Sequence, residues 1–389
     1  MVRAAVTLPR EDGTLSRYEL GPASPFGAPG VALRTRVAYA AVHVVADPLA
    51  ENTPDSVAHL DWDATLAYRR YLWSLGLAVA EAMDTAQRGM GLDWDACREL
   101  IRRTAAEARC AGGRLACGAN TDQLPAGARV GLDEIQGAYD EQCAFIEDEG
   151  AAVVLMASRH LASRARGPED YLRVYGQVLS RVRRPVIIHW LGEMFDPQLA
   201  GYWGSHDLDA ATRTFVEIVS EHAPKIDGVK ISLLDRGREV DVRGRLHAAG
   251  VRVYTGDDFH YPELIRGDGR LHSHALLGIF DAIAPAASAA IQALDRGDTD
   301  AYEAILAPTV PLARHIFQIP TCHYKTGVVF LAYLNGHQSH FRMVGGLESA
   351  RSVGHLAGIL VLADRARLLR DPELAADRFR RVMAVVGVD

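Results

Sequence analysis

Lys230 is the residue whose type and position most strongly suggest chemistry in this 389-residue sequence. The chain has only three lysines, at 225, 230 and 325, among its 42 basic residues, and arginine supplies the rest. Lys230 lies in the apolar stretch "KIDGVKISLLD", where a buried, unpaired ammonium would cost several kcal/mol and so tends to lose its proton. A neutral amine attacks carbonyl groups, whereas arginine keeps its proton. The sequence therefore indicates imine chemistry at Lys230, unless its tip reaches a carboxylate.

Eight short apolar stretches alternate with amphipathic segments along the chain. The expected strands are 36–45, 76–83, 114–119, 151–157, 185–190, 226–232, 251–256 and 270–277, and the main helical segments are 63–74, 93–110, 131–148, 168–181 and 207–222. Short buried strands that alternate with helices are typical of parallel βαβ units. Eight such units predict an α/β fold, a (β/α)₈ TIM barrel.

The sequence divides into three parts around this barrel. Residues 1–35 are rich in Gly and Pro and predict an irregular N-terminal lead-in, and residues 36–285 form the expected barrel. Residues 286–389 show no clear strand pattern and predict a C-terminal helical extension. Helices are expected in and next to it at 284–295, 300–307, 310–317 and 346–370.

Polar residues at the strand ends are the candidates for a site, because TIM barrels carry their chemistry at the C-terminal face. Each residue alone could also be a cap or a loop anchor. The candidates are His43, Asp47, Glu81, Asp84, Thr85, Asn120, Asp122, Ser158, Arg159, His160, His189, Trp190, Glu193, Lys230, Ser232, Asp257, Asp258, His272, Ser273 and His274.

Composition narrows the class of partner. The net charge of −7 and the pI of about 6.1 argue against nucleic acid and against an anionic membrane surface. We see no signal peptide and no apolar run of about 18 residues, so no membrane span is expected. The five cysteines are an odd number without CxxC spacing, which favours reduced thiols in a cytoplasmic protein.

Several motifs, in order, resemble those of the dihydrodipicolinate synthase and N-acetylneuraminate lyase superfamily. "DGVKISLLD" resembles its strand 6, where a lysine forms a Schiff base, and "VYTGDDF" resembles its strand 7. "PVIIHW", "GRLHS", "MDTAQRGMGLDWDACREL" and "EDYLRVYGQVLSRVRRPVII" are similar to other strands, loops and helices of that superfamily. The resemblance covers roughly 36–285 and suggests a divergent branch without an assigned function.

The resemblance implies roles for particular residues. Lys230 would be the nucleophile, and His189 would be the acid or base, in the place of the superfamily's tyrosine. The expected substrate contacts are Asp84, Thr85, Trp190, Asp258 and Ser273. The resemblance implies no cofactor or metal, a small carbonyl compound as substrate, and a homo-oligomer.

Departures from the pattern affect the expected substrate. Asp84 stands where the superfamily has a threonine that holds a pyruvate carboxylate, and Met194 stands where some members have an arginine. An aspartate repels a 2-oxo acid, although Arg88 or Arg159 could offset this effect. We therefore expect an aldolase or hydro-lyase that acts on a neutral, hydroxyl-rich carbonyl compound rather than on pyruvate.

Two other functions stay open. A metal-dependent sugar isomerase or epimerase could use carboxylates and imidazoles at the strand ends, and a sugar-binding barrel would need no catalysis. The candidate metal ligands are Glu81, Asp84, His189, Asp257, Asp258, His272 and His274. The stretches "HYKTG" around Lys325 and "NGHQSHFRM" (335–343) are either loops between helices or segments that close over the barrel mouth or reach a neighbouring subunit.

Overall fold

A closed barrel of eight parallel strands forms the centre of the computed structural model, which describes residues 4–9, 12–27, 32–127 and 129–388. Two strands before the barrel form an antiparallel hairpin: β1 (Ala5–Pro9) and β2 (Leu15–Glu19). The barrel strands are β3 (Ala38–Ala41), β4 (Ala78–Glu81), β5 (Leu115–Ala119), β6 (Ala152–Leu155), β7 (Val186–Leu191), β8 (Ile226–Ser232), β9 (Arg252–Thr255) and β10 (His274–Leu277). They pair in chain order, and β10 closes onto β3. The predicted TIM barrel is confirmed.

Helices surround the barrel and continue beyond it. They are α1 (Trp62–Ser74), α2 (Trp94–Ala111), α3 (Leu132–Asp148), α4 (Arg159–Arg164), α5 (Pro168–Arg181), α6 (Leu208–Glu221), α7 (Arg236–Leu246), α8 (Tyr261–Arg266), α9 (Ile279–Ala282), α10 (Ala284–Asp295), α11 (Thr299–Leu306), α12 (Val310–Ile316), α13 (Tyr324–Leu334), α14 (Val353–Arg365) and α15 (Pro372–Val385). Within the described part of the chain, none of these helices combines the length and apolar character that a bilayer crossing needs.

Helix α13 is not among the helices expected from the sequence. All eleven of its residues are buried, so it has no polar face and gives no amphipathic period. Helix α15 is not among them either, although it carries start signals. Asp371 caps it by accepting hydrogen bonds from the backbone N–H groups of residues 373 and 374, and a proline follows at its first position.

The expectation of an irregular lead-in is wrong for the residues of the β1–β2 hairpin. Gly13, at the turn, has φ +80°, and the Asp-Gly pair before β2 is a hairpin signal. Hydrogen bonds join the hairpin to the C-terminal helices. The Arg380 guanidinium of α15 donates to the Ala5 carbonyl (2.8 Å), and the Tyr18 hydroxyl donates to Asp364 of α14 (2.7 Å). The first strands of the chain and its last helices therefore pack together.

Alternation along the barrel strands decides which side chains face the interior. On β8, Val229 and Ile231 join the core between strands and helices, so Lys230 points into the barrel. On β7, Ile187 packs with the apolar side chains in the barrel interior, and His189, two residues later, faces the same side of the strand. His189 and Lys230 are also register neighbours across β7 and β8, which puts the two side chains side by side.

A buried ion pair joins α1 to strand β4. Arg69 binds both carboxylate oxygens of Glu81, at 2.8 and 3.0 Å, and the Thr104 hydroxyl donates to the same group at 2.9 Å. The Arg69 and Glu81 side chains are fully buried. Each charge therefore depends on the other for its stability in the core.

Arg69→Met should lower the free energy of unfolding by about 3–5 kcal/mol, because it leaves the Glu81 carboxylate buried without its partner. Urea unfolding measures this change. Arg70→Met is the matched control, since Arg70 pairs with Glu107 at the surface and should cost at most about 1 kcal/mol. Equal losses in the two variants would contradict this account of the pair.

Candidate active site

Lys230 lies inside the barrel with little contact with solvent. The side chain is buried, and its Nζ makes no hydrogen bond and has no carboxylate oxygen within 4.0 Å among the described residues. A Cβ at position 256 would lie 2.9 Å from Lys230 Cε and 2.1 Å from Ser232 Oγ. Because glycine has no Cβ, Gly256 makes room for the Lys230 side chain.

Burial controls the charge of this lysine. It lowers the pKa of Lys230, while the carboxylates of Asp84 and then Asp258 act in the opposite direction. Burial also disfavours the charged form of Asp258 and raises its pKa to about 8. The hydrogen bond that its Oδ1 accepts from the Ile279 N–H (2.8 Å) acts in the opposite direction. Opposite charges favour ionisation of both groups, but desolvation is the largest cause at each. Lys230 is thus more readily deprotonated than a lysine in water.

His189 lies next to Lys230 and is neutral at neutral pH. Burial, and then the charge of Lys230, lower the pKa of His189 well below 6.5. Its Nε2 is 3.0 Å from Ser232 Oγ, and its Nδ1 has no hydrogen-bond partner. A buried imidazole with one unpartnered nitrogen can give or take a proton inside the barrel.

A chain of hydroxyl and carboxyl groups crosses the barrel mouth. The Tyr324 hydroxyl lies 2.6 Å from Thr85 Oγ1 and donates to Asp84 Oδ2 at 3.0 Å. Tyr324 begins α13 in the C-terminal extension, so a segment far along the chain reaches the barrel loops. Tyr324 is not among the site residues expected from the sequence. Its only signal was the "HYKTG" stretch, which the structure places at the mouth.

An open cleft of about 790 Å³ lies at this face of the barrel. Its lining includes Asp84, Met156, Arg159, Tyr324 and Lys325. The volume is in the range of small-molecule sites. Asp84 lines this cleft, and it is also the carboxylate that acts most on the charge of Lys230. Lys230 itself lies inside the barrel and is not part of the lining.

Trp190 and Ser273 are not at the cleft, which corrects two expected substrate contacts. Since His189 points inward, Trp190 points outward and packs on Phe215 (ring centroids 5.1 Å apart) in the helix layer. Ser273 precedes β10 and lies at the opposite, N-terminal end of the barrel. Its hydroxyl donates to Glu239 Oε1 at 2.7 Å.

The candidate metal ligands are also dispersed. Glu81 binds Arg69 in the helix layer. His272 and His274 lie by the start of β10, and Asp257 pairs with His260 at 2.8 Å. In residues 4–9, 12–27, 32–127 and 129–388, no three or more His, Cys, Asp or Glu side chains are placed to hold a metal ion.

The barrel is similar to solved dihydrodipicolinate synthases. That of Thermotoga maritima has a TM-score of 0.63 at 13% identity, covering 86% of this chain and 99% of that one. That of Bacillus clausii has a TM-score of 0.60 at 14% identity, covering 84% of this chain and 96% of that one. That of Aquifex aeolicus has a TM-score of 0.59 at 14% identity, covering 91% of this chain and 98% of that one. These likenesses show a shared fold, and no curated protein matches the sequence. A family model matches residues 6–388, and the chain therefore belongs to the family of proteins of unknown function called DUF993.

Proposed function

We propose that this protein is a class I aldolase-like lyase that forms a Schiff base between Lys230 and a small oxygenated carbonyl compound. The observation that supports this function most is the buried amine of Lys230 inside the barrel, which has no carboxylate oxygen within 4.0 Å among the described residues. Its neutral Nζ adds to the carbonyl carbon, and loss of water gives the imine. In carbon–carbon cleavage the protonated imine accepts the electron pair of the breaking bond and becomes an enamine. In dehydration it accepts the electron pair of an adjacent C–H bond, and the enamine then expels the β-hydroxyl group, which leaves as water once protonated.

His189 is the proposed acid and base beside the imine. Its register position next to Lys230 and its unpartnered Nδ1 support this role. Because its pKa is lowered, the imidazole is neutral at the start and can accept a proton from the carbinolamine or from the substrate. Ser232 holds the other ring nitrogen and so fixes the orientation of the ring.

Tyr324, Thr85 and Asp84 form the second proposed proton path. Their hydrogen bonds run from the C-terminal extension to the loop after β4, at the edge of the cleft. Hydroxyl groups joined in this way can pass a proton along the chain to a carboxylate. We propose that this chain supplies the protons that convert the carbonyl oxygen into water.

Asp84 favours a substrate that is uncharged next to its carbonyl group. Its carboxylate is the one that acts most on the charge of Lys230, and we propose that it also acts on a carboxylate attached to the imine carbon. At a few ångströms two such charges cost on the order of 1–4 kcal/mol, which corresponds to roughly 5- to 1,000-fold in binding. A keto or aldehyde sugar avoids this repulsion.

Asp84→Thr should raise the ratio of pyruvate trapping to neutral-sugar trapping at least about fivefold, because the repelling charge is removed while any loss from the proton path affects both compounds alike. Intact-protein mass after reduction measures the trapped fraction. Asp84→Asn is the control: it removes the charge but keeps the size, so it should give most of the same gain. If the native protein already traps pyruvate at sub-millimolar concentration, the argument from Asp84 fails.

The function itself is tested with a panel of carbonyl compounds. Native protein is incubated with dihydroxyacetone, glyceraldehyde, longer sugars or pyruvate, and each sample is reduced with borohydride. We expect an added mass with at least one neutral sugar and a weak signal with pyruvate. The absence of any adduct across the panel would contradict imine formation.

A further inference from the structure

Lys325 is a second buried lysine at the cleft, and the proposed imine chemistry does not use it. The residue is only 3% exposed and lines the cleft. Its Nζ contacts Met90 Sδ at 3.2 Å and the Cys322 carbonyl at 3.4 Å. No carboxylate oxygen lies within 4.0 Å of it in the part of the chain that the structure describes. Neither contact neutralises an ammonium, which normally needs a negative partner when buried.

A second cation, Arg159, lies beside Lys325. The ideal Cβ position of Gly89 is 3.5 Å from Arg159 Nη1, and Met90, the next residue, contacts Lys325. The two positive tips therefore lie against adjacent residues on the same wall of the cleft. Asp196 binds Arg159 at 2.6 Å, and Asp84 is the carboxylate that acts most on the charge of Lys325; neither carboxylate lies within 4.0 Å of Lys325 Nζ.

The start of helix α13 adds to this positive field. Lys325 is its second residue, and the eleven-residue helix begins at the cleft. The N-terminus of a helix carries partial positive charge and attracts anions. Burial and the charge of Arg159 also lower the pKa of Lys325, while Asp84 acts in the opposite direction. An anion beside Nζ would oppose the lowering and hold the lysine in its charged form.

We propose that Lys325 and Arg159 bind an anionic group of the substrate, a carboxylate or a phosphate, at a distance from its carbonyl carbon. This inference deepens the proposed function and rests on it for the carbonyl end only. It replaces a wholly neutral substrate with one that is neutral at Lys230 and negative at Lys325. A phosphorylated sugar and a sugar acid share this pattern.

Titration calorimetry with inorganic phosphate and with malonate tests the site without any imine chemistry. We expect one of the two anions to bind the native protein, and which one binds identifies the group. Lys325→Met should weaken that affinity at least about tenfold, because it removes a charge-assisted hydrogen bond. Lys225→Met is the matched control, since Lys225 donates to the Val182 carbonyl outside the cleft and should leave the affinity unchanged.

Arg159→Met keeps the test decisive if Lys325→Met does not fold. The Arg159 side chain is 42% exposed, so its loss is tolerated by the fold and should weaken anion binding about threefold or more. Binding of neither anion, or unchanged affinity in these variants, would overturn the inference. A native protein that binds an anion but never traps a carbonyl compound would instead overturn the imine function.

Discussion

Lys230→Arg should reduce both turnover and borohydride trapping to background. The substitution keeps a long cationic side chain, but guanidinium stays protonated and cannot add to a carbonyl carbon. Because burial lowers the pKa of the native lysine, trapping by the native protein should also proceed at pH values where a lysine in water is fully charged. Intact-protein mass and steady-state rates measure the two losses.

Lys225→Arg provides the control for this substitution. Lys225 precedes β8 and its Nζ donates to the Val182 carbonyl at 2.8 Å, so the same chemical change there should leave the rates as they were. Substantial turnover in the Lys230→Arg protein would end the Schiff-base account. Equal losses at positions 225 and 230 would assign the effect to the fold.

His189→Phe should lower the rate about 10²–10⁴-fold, the usual contribution of a general acid or base. The phenyl ring fills much of the same space, so packing inside the barrel is largely kept. The neutral imidazole is the active form, and its pKa is lowered. Protonation of His189 should therefore reduce the activity of the native protein only as the pH falls well below 6.5. In the His189→Phe variant, the pH profile of kcat/KM should lack this acidic decrease.

Ser232→Ala separates the two roles that His189 could have. It removes the hydroxyl 3.0 Å from Nε2 and should cost less than His189→Phe, because the imidazole itself remains. An unchanged rate and pH profile in His189→Phe would assign that residue to packing alone.

Local sequence pattern was enough to predict the barrel, but alternation alone places Lys230 only on the face opposite Val229 and Ile231. The apolar neighbours on either side of Lys230 face the helices, so alternation sends the amine inward, as the structure has it. The same alternation puts Trp190 outward once His189 is inward. That consequence could have been read from the sequence and was not. Ser273 failed for a different reason: it was selected because "GRLHS" resembles a superfamily motif, whereas the last strand begins at His274 and ends at Leu277, so Ser273 precedes the strand instead of following its carboxyl end.

The rest of the cleft depends on contacts that no local pattern carries. Tyr324 meets Asp84 across 240 positions of sequence, and the helix that brings it there is buried on every side. Nothing in the neighbourhood of either residue specifies the pairing, which arises when the C-terminal extension packs against the barrel. The scarcity of lysine was a clue within reach, because two of the three lysines prove to be buried, Lys230 inside the barrel and Lys325 at the cleft.

The reduced adduct of the native protein can be mapped to a single lysine. Peptides of protein trapped with the best neutral carbonyl compound are fragmented, which separates the three possible positions 225, 230 and 325. The account predicts that the added mass is on Lys230 and that Lys225 and Lys325 are unmodified. An adduct on Lys325 or Lys225, with Lys230 unmodified, would contradict it.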